Sequence, residues 1–230
     1  MATTTYIERR QRLTQYFDRT AAATWARLTS DEPLGRIRST VRAGRNEMRQ
    51  TLLDWLPQDL SGKTLLDAGC GTGAFAIEAA KRGARVTAID VSSTLVGIAR
   101  ERTSVELAGR IDYFVGDMLA PPGAPFDYAV AMDSLIHYVR DDKLNAVKTL
   151  CAMTRESVLF TFAPRTPALA LMHAVGQLAP KRHHRSPEIE PISERVLRSS
   201  IAGQEDWAIE RSRRVSSGFY ISQGMELVKR

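Results

Sequence analysis

The chain has 230 residues, with 32 Lys and Arg against 26 Asp and Glu for a formal net charge of +6, and 43% of it is apolar. That balance belongs to a folded globular chain and excludes disordered, collagenous and coiled-coil classes, while no apolar run approaches the roughly 18 residues that span a bilayer. Two cysteines, Cys70 and Cys151, are too few for a disulfide framework. The polar opening stretch carries no secretory pattern, so a cytoplasmic protein is expected.

In chain order, Ile7, Leu13, Tyr16 and Phe17 fall at helical spacing. A longer helix is expected from about Leu34 to Leu56, carrying Ile37, Val41, Met48, Leu52 and Leu53 and closed by Pro57 and Gly62. The rhythm then changes. Short strands are expected at Thr64–Asp67, Arg85–Asp90, Asp112–Asp117, Phe126–Met132 and Ser157–Ala163, with helices at Phe75–Lys81, Leu95–Arg102 and Lys143–Met153 distributed among them. Alternation at that pitch predicts an α/β fold with a parallel sheet wound on both faces. Trp207–Arg213 and Phe219–Val228, joined by Ser216-Ser217-Gly218, read as an antiparallel pair at the sheet edge. Residues 1–60 form a helical cap on this reading, and residues 61–230 form the α/β domain. A proline-bearing insertion over 164–191 follows the fifth strand, and its length is that of a lid or binding element.

The positive charge is clustered. Arg36, Arg38, Arg42, Arg45 and Arg49 form one group, and Lys181, Arg182, His183, His184 and Arg185 another. Such groups attract anions of any kind, or simply stay solvated.

The strongest signal is Leu65-Leu66-Asp67-Ala68-Gly69-Cys70-Gly71-Thr72-Gly73, a strand running into a glycine turn where a helix begins. Gly69-x-Gly71-x-x-Ala74 also satisfies a dinucleotide fingerprint, so the glycines do not discriminate. Asp67 does, because a carboxylate beside the turn repels a pyrophosphate and suits a ligand with an ammonium group, such as the methionine part of S-adenosylmethionine. Asp90, followed by Val91, ends the second strand, where an acid accepts both ribose hydroxyls. Asp117 ends the third, placed for an adenine amino group, with Met118 to pack on the ring. The segment resembles the first motif of the class I S-adenosylmethionine-dependent methyltransferases. That resemblance implies a Rossmann-like, seven-stranded, mostly parallel sheet with an antiparallel C-terminal strand pair. After the fourth strand, Met132-Asp133-Ser134-Leu135-Ile136-His137-Tyr138 lacks the Pro-Pro-aromatic run of nucleobase methyltransferases, so nucleic acid is not the expected partner.

Asp133-x-Leu135-Ile136-His137-Tyr138 and Phe162-Ala163-Pro164-Arg165-Thr166-Pro167 resemble the magnesium-protoporphyrin IX O-methyltransferase family of (bacterio)chlorophyll biosynthesis. Tyr16-Phe17-x-x-Thr20 with Trp25 and Arg27, Val41-Arg42-x-Gly44-Arg45, Gly176–Pro180 and Phe219–Ser222 extend the likeness over nearly the whole chain. The resemblance implies methyl transfer to one propionate of Mg-protoporphyrin IX, delivery by the large subunit of magnesium chelatase, and peripheral attachment at the photosynthetic membrane. Where that family commonly carries a tyrosine, this chain has Thr29. A second small-molecule substrate class, another carboxylate or a quinol, would share everything up to Asp117. A cofactor-binding module without turnover and a nicotinamide oxidoreductase are the other readings.

A propionate is ionised near neutral pH, so the chemistry needs orientation and desolvation more than a strong base. His137 and Tyr138 are the expected catalytic pair, His137 either hydrogen-bonding the carboxylate or removing a residual proton. Asp67, Gly69, Gly71, Gly73, Asp90, Val91, Asp117, Met118 and Asp133 are expected around S-adenosyl-L-methionine, with Tyr16 covering it. Arg165, Met172 and His173 are expected at the porphyrin. His173, His183 or His184 is the nearest thing to an axial magnesium ligand, and no resident metal site is expected.

Overall fold

Strand β1 (Thr64–Ala68) is the middle one of five parallel strands in the computed structural model, which describes residues 3–30, 32–165, 188–203 and 205–230. Leu65, Leu66 and Ala68 are wholly buried, as a run of small and branched apolar residues must be when helices cover both faces. Around it lie β2 (Arg85–Asp90), β3 (Ile111–Val115), β4 (Phe126–Ala131), β5 (Thr154–Phe162), β6 (Trp207–Ser217) and β7 (Tyr220–Lys229). The sheet order is β3-β2-β1-β4-β5-β7-β6. The first five strands pair in parallel; β7 runs antiparallel to both β5 and β6. This is the expected sheet with its antiparallel terminal pair. The hairpin turns one residue later than expected, with Ser217 opposite Tyr220 and Gly218 at φ 58°. Strand β3 stops at Val115, so Asp117 stands two residues into the following loop rather than at the strand end.

Successive residues of the central strands serve opposite cores. Leu66, Ala68, Ala129, Ala131, Phe160 and Phe162 belong to one, Leu65, Val130 and Leu159 to the other. The first is covered by α1 (Thr4–Tyr16), α6 (Arg140–Ala152) and α7 (Glu194–Ala202); the second by α3 (Arg36–Trp55), α4 (Ala74–Lys81) and α5 (Ser93–Arg102). Helix α3 buries Gly44, Met48, Thr51 and Leu52 at helical spacing, and Met48 and Leu52 reach Gly224 of β7. Between α1 and α3, a single wide turn (Phe17–Ala21) leads into the short helix α2 (Ala22–Leu28).

After β1 the chain winds outward to β3, then crosses back to place β4 on the other side of β1. Ligands of open α/β sheets bind beyond the carboxyl ends of the strands at such a reversal. The loops after β1, β2, β3 and β4 meet there. Among the described residues, no helix is long and apolar enough to cross a membrane.

Candidate active site

The glycine turn after β1 is held from below by β2. The N–H groups of Gly69 and Cys70 donate to the Ile89 carbonyl at 2.8 and 3.1 Å. Gly71 N–H donates to Asp90 Oδ2 at 2.9 Å, and Ser92 N–H to Asp90 Oδ1 at 2.9 Å. Gly69 has φ +84°, and a Cβ there would stand 2.4 Å from the Ser134 Cβ, so the turns after β1 and β4 touch only because this residue has no side chain. Asp67, 2% exposed, accepts from the Ala76 N–H in the first turn of α4 at 3.1 Å. Burial, then the neighbouring Asp90 charge, pushes its pKa up to about 7. Burial also raises Asp90 against the pull of its two N–H donors. A cation bound beside this turn relieves both acids. The same burial pushes the Cys70 thiol well up, so it is a filler and not a thiolate nucleophile.

One wall comes from α3. Arg45 donates to Asp133 at 2.6 Å, and its guanidinium lies 4.5 Å over the Trp25 ring. Asp133 has φ 53°, the left-handed region that aspartate tolerates better than most residues. Tyr220 and Thr161 hydroxyls each donate to it at 3.1 Å, and its own N–H donates to Thr161 Oγ1 at 2.7 Å. Arg49, one turn beyond Arg45, lines the same wall; burial and the Arg45 charge lower its pKa. The arginine group, read as anion-attracting or solvated, thus divides, with Arg36 and Arg38 exposed and Arg45 and Arg49 turned into the cleft.

Helix α2 forms the second wall. Its C-terminal carbonyls are gripped by two arginines: Arg42 donates to Leu28 O and Arg27 O, and Arg102 to Ala26 O and Thr29 O. Positive charge at a helix C-terminus is favourable. The Thr29 side chain meets the glycine turn directly, with the Thr72 hydroxyl donating to it at 3.0 Å.

Helix α1 closes the remaining side. Tyr6 donates to Asp117 at 2.6 Å and Arg10 pairs with the same carboxylate. The Tyr6 ring stacks on Tyr138 at 4.7 Å and 17°. Asp18 accepts from Ser92 Oγ at 2.6 Å at the start of α5. Phe17 meets Trp25 and His137 edge-on, with centroids 5.6 and 6.2 Å apart. His137 ends a single tight turn (Leu135–His137); burial lowers its pKa to about 4, so it is neutral at physiological pH.

These elements line a cleft that opens to solvent. Of the residues expected at the site, Asp67, Gly69, Gly71, Asp90, Val91, Met118, Asp133, His137 and Tyr138 line it. Gly73 stands behind, at the N-terminus of α4 with φ 78°. Asp117 is engaged by α1, and Tyr16 lies edge-on to Phe17 at 5.2 Å, Phe17 being the ring that faces the cleft. Arg165 is exposed, and Met172, His173, His183 and His184 lie outside the described residues. Trp25, Thr29, Arg45 and Arg49 also line the cleft. The arginines had a signal in the sequence: their i, i+4 spacing continues the buried stripe of Met48 and Leu52. Among the described residues, no group of three or more His, Cys, Asp and Glu is placed to hold a metal ion.

A family model described as Magnesium-protoporphyrin IX methyltransferase C-terminus matches residues 131–229, and one described as Methyltransferase domain matches residues 65–157. The chain is 45% identical over 222 residues to the magnesium-protoporphyrin O-methyltransferase of Rhodobacter capsulatus, covering 96% of this chain and 97% of that one. With the enzyme of the same name from a Synechocystis strain it shares 29% over 217 residues, 93% and 94% of the two chains. The crystal structure of magnesium protoporphyrin IX methyltransferase from Synechocystis with bound S-adenosylhomocysteine superposes with a TM-score of 0.85 at 27% identity, over 96% of this chain and 99% of that one. With a likeness this close over almost the full length of the Rhodobacter relative, the chain belongs to the magnesium-protoporphyrin O-methyltransferase family.

Proposed function

We infer that this protein transfers a methyl group from S-adenosylmethionine to a propionate carboxylate of Mg-protoporphyrin IX, giving the monomethyl ester. The observation that carries this is the 45% identity, over almost the full length of both chains, with the Rhodobacter relative, whose name states O-methylation of magnesium-protoporphyrin. When bound, the cofactor supplies an electrophilic methyl on a sulfonium. The chain's residues fit it: Asp67, a buried acid held up to about 7, gains by facing the ammonium group. Arg49, desolvated and beside a like charge, gains by facing the cofactor carboxylate. Asp90 and Val91 take the ribose and Met118 the adenine face, with Asp117, held by Tyr6 and Arg10, beside the adenine amino group. Asp133 holds Arg45 and the wall in place.

His137 has the remaining task. A histidine kept neutral by burial offers a lone pair to a residual carboxyl proton and takes it as methyl transfer to the carboxyl makes that proton acidic. Tyr138, with its pKa raised by burial, stays a phenol and orients the acid. Residues 1–60 act as a cap over the methyltransferase domain of residues 61–230. Arg165 holds the second propionate, and residues 164–191, with Met172 and His173, close over the porphyrin. Exposed Arg36 and Arg38 beside Ile37, 59% exposed, support contact with an anionic membrane surface. Delivery by the large chelatase subunit rests on family resemblance. Mixing the protein with Mg-protoporphyrin tests the substrate: the Soret band should shift and sharpen, and an unshifted band in protein that binds S-adenosylmethionine would contradict the assignment.

A further inference from the structure

Glu188–Glu190 is a short arm that leads into α7 and lies against the turn bearing His137. Glu190 N–H donates to the Ile136 carbonyl at 2.8 Å. His137 Nδ1 approaches the Glu188 carbonyl at 3.3 Å. A carbonyl has no proton to give, so the ring must carry its own on Nδ1, and the Nε2 lone pair is left for the cleft. The tautomer that a general base needs is therefore set by the backbone of an arm more than fifty positions away in sequence.

That arm is itself gripped from two sides. Lys143 on α6 is wholly buried, and its Nζ donates to the Glu190 carbonyl at 2.6 Å. Arg9 on α1 donates to Glu190 Oε1 at 2.8 Å and reaches Glu188 Oε2 at 3.5 Å. A buried ammonium is expensive to desolvate, and an aliphatic side chain of the same length would fill the space without that cost. What the lysine does that an apolar residue does not is bind the carbonyl of Glu190, the residue whose own N–H donates to the His137 turn.

We propose that Lys143 and Arg9 are positioning residues of the methyl transfer: they hold the Glu188–Glu190 arm against the Leu135–His137 turn, so that the Glu188 carbonyl fixes the Nδ1–H tautomer of His137 and aims Nε2 at the porphyrin carboxyl. The proposal rests on His137 being the base. It also couples the cap to the chemistry, because Arg9 belongs to the helix that closes over the cleft.

The test uses the full chain with ¹⁵N-labelled histidine; only four histidines are present, so His137 is assigned by its substitution. In the wild type, His137 should show a protonated-type Nδ1 and a lone-pair-type Nε2. Lys143→Met should mix the tautomers and lower kcat by about 10- to 100-fold, the usual effect of losing an orienting partner, with S-adenosylmethionine affinity unchanged. Should Lys143→Met fail to fold, Arg9→Gln gives the same readout, and Arg9→Lys should restore part of the rate. An unmoved Nδ1–H tautomer in the folded variants would overturn the positioning role, even if His137→Ala abolishes turnover. A shifted tautomer with an unchanged kcat would overturn the proposal at its root, because His137 would then not be the base.

Discussion

Asp67 shows how a single buried acid can be read as a binding group. Its carboxyl is pushed up to about 7 from an ordinary 3.8, so the folded protein holds a proton there that the unfolded chain has lost. Stability of the ligand-free protein is therefore lost as pH rises from about 4 to 7, and the loss is complete above 7. Asp67→Asn keeps an acceptor for the Ala76 N–H and removes the charge. The variant should melt higher than the wild type at pH 8, with the difference shrinking toward pH 4, while S-adenosylmethionine binds about 10- to 100-fold more weakly. Thermal melts at the two pH values and calorimetry check both halves; a melting difference independent of pH would sink the reading. Arg49 makes the complementary prediction. Arg49→Gln should weaken S-adenosylmethionine by about tenfold or more, and leave 5′-methylthioadenosine, which has no carboxylate, within about twofold. Equal losses for the two ligands would show that the arginine acts on the fold instead. The glycine turn and the two acids beside it, Asp67 and Asp90, were legible because their contacts are local. The use of Arg45 and Asp117 was not: their partners, Asp133 for one and Tyr6 and Arg10 for the other, stand 88, 111 and 107 positions away, where spacing carries no information.

Among the elements, α3 is where a basic helix becomes a wall of the site. Its approach to the terminal hairpin depends on Gly44, where a Cβ would lie 2.5 Å from Tyr220 Cδ1 and 3.0 Å from Ser217 Cβ. Tyr220 and Arg45 share Asp133, so pushing α3 outward disturbs packing and wall together. Gly44→Ala should cost about 1–3 kcal/mol of stability and weaken cofactor binding, as read by denaturant melts and titration; an unchanged melt would mean the helix has room to spare. Strand positions were read closely, with β2 falling where the alternation placed it, because buried parallel strands are continuous apolar runs. The basic pattern of α3 hid its dual character, because the signal lay in the register of Arg45 and Arg49 with Met48 and Leu52 and not in the charges themselves. The wide turn between α1 and α2 left no mark in the apolar spacing.

On the scale of the whole molecule, the N-terminal segment closes the cleft by reaching four separate places, one of them the Glu188–Glu190 arm held by Arg9. Asp18 holds the Ser92 loop after β2, Tyr6 and Arg10 hold Asp117 after β3, and Thr3 and Thr5 hold Asp142 at the start of α6. The reversal between β1 and β4 brings these loops together, so one cap can sense the cofactor, the His137 turn and the Glu188–Glu190 arm at once. The fold class follows from the alternation of elements; the closure does not, because every one of its contacts joins residues far apart in the chain. Turnover is the most direct test of the assigned reaction. Purified protein incubated with methyl-labelled S-adenosylmethionine and Mg-protoporphyrin IX should yield one labelled porphyrin ester per S-adenosylhomocysteine formed, resolved by chromatography. A porphyrin that stays unlabelled, while the protein binds both compounds, would contradict it.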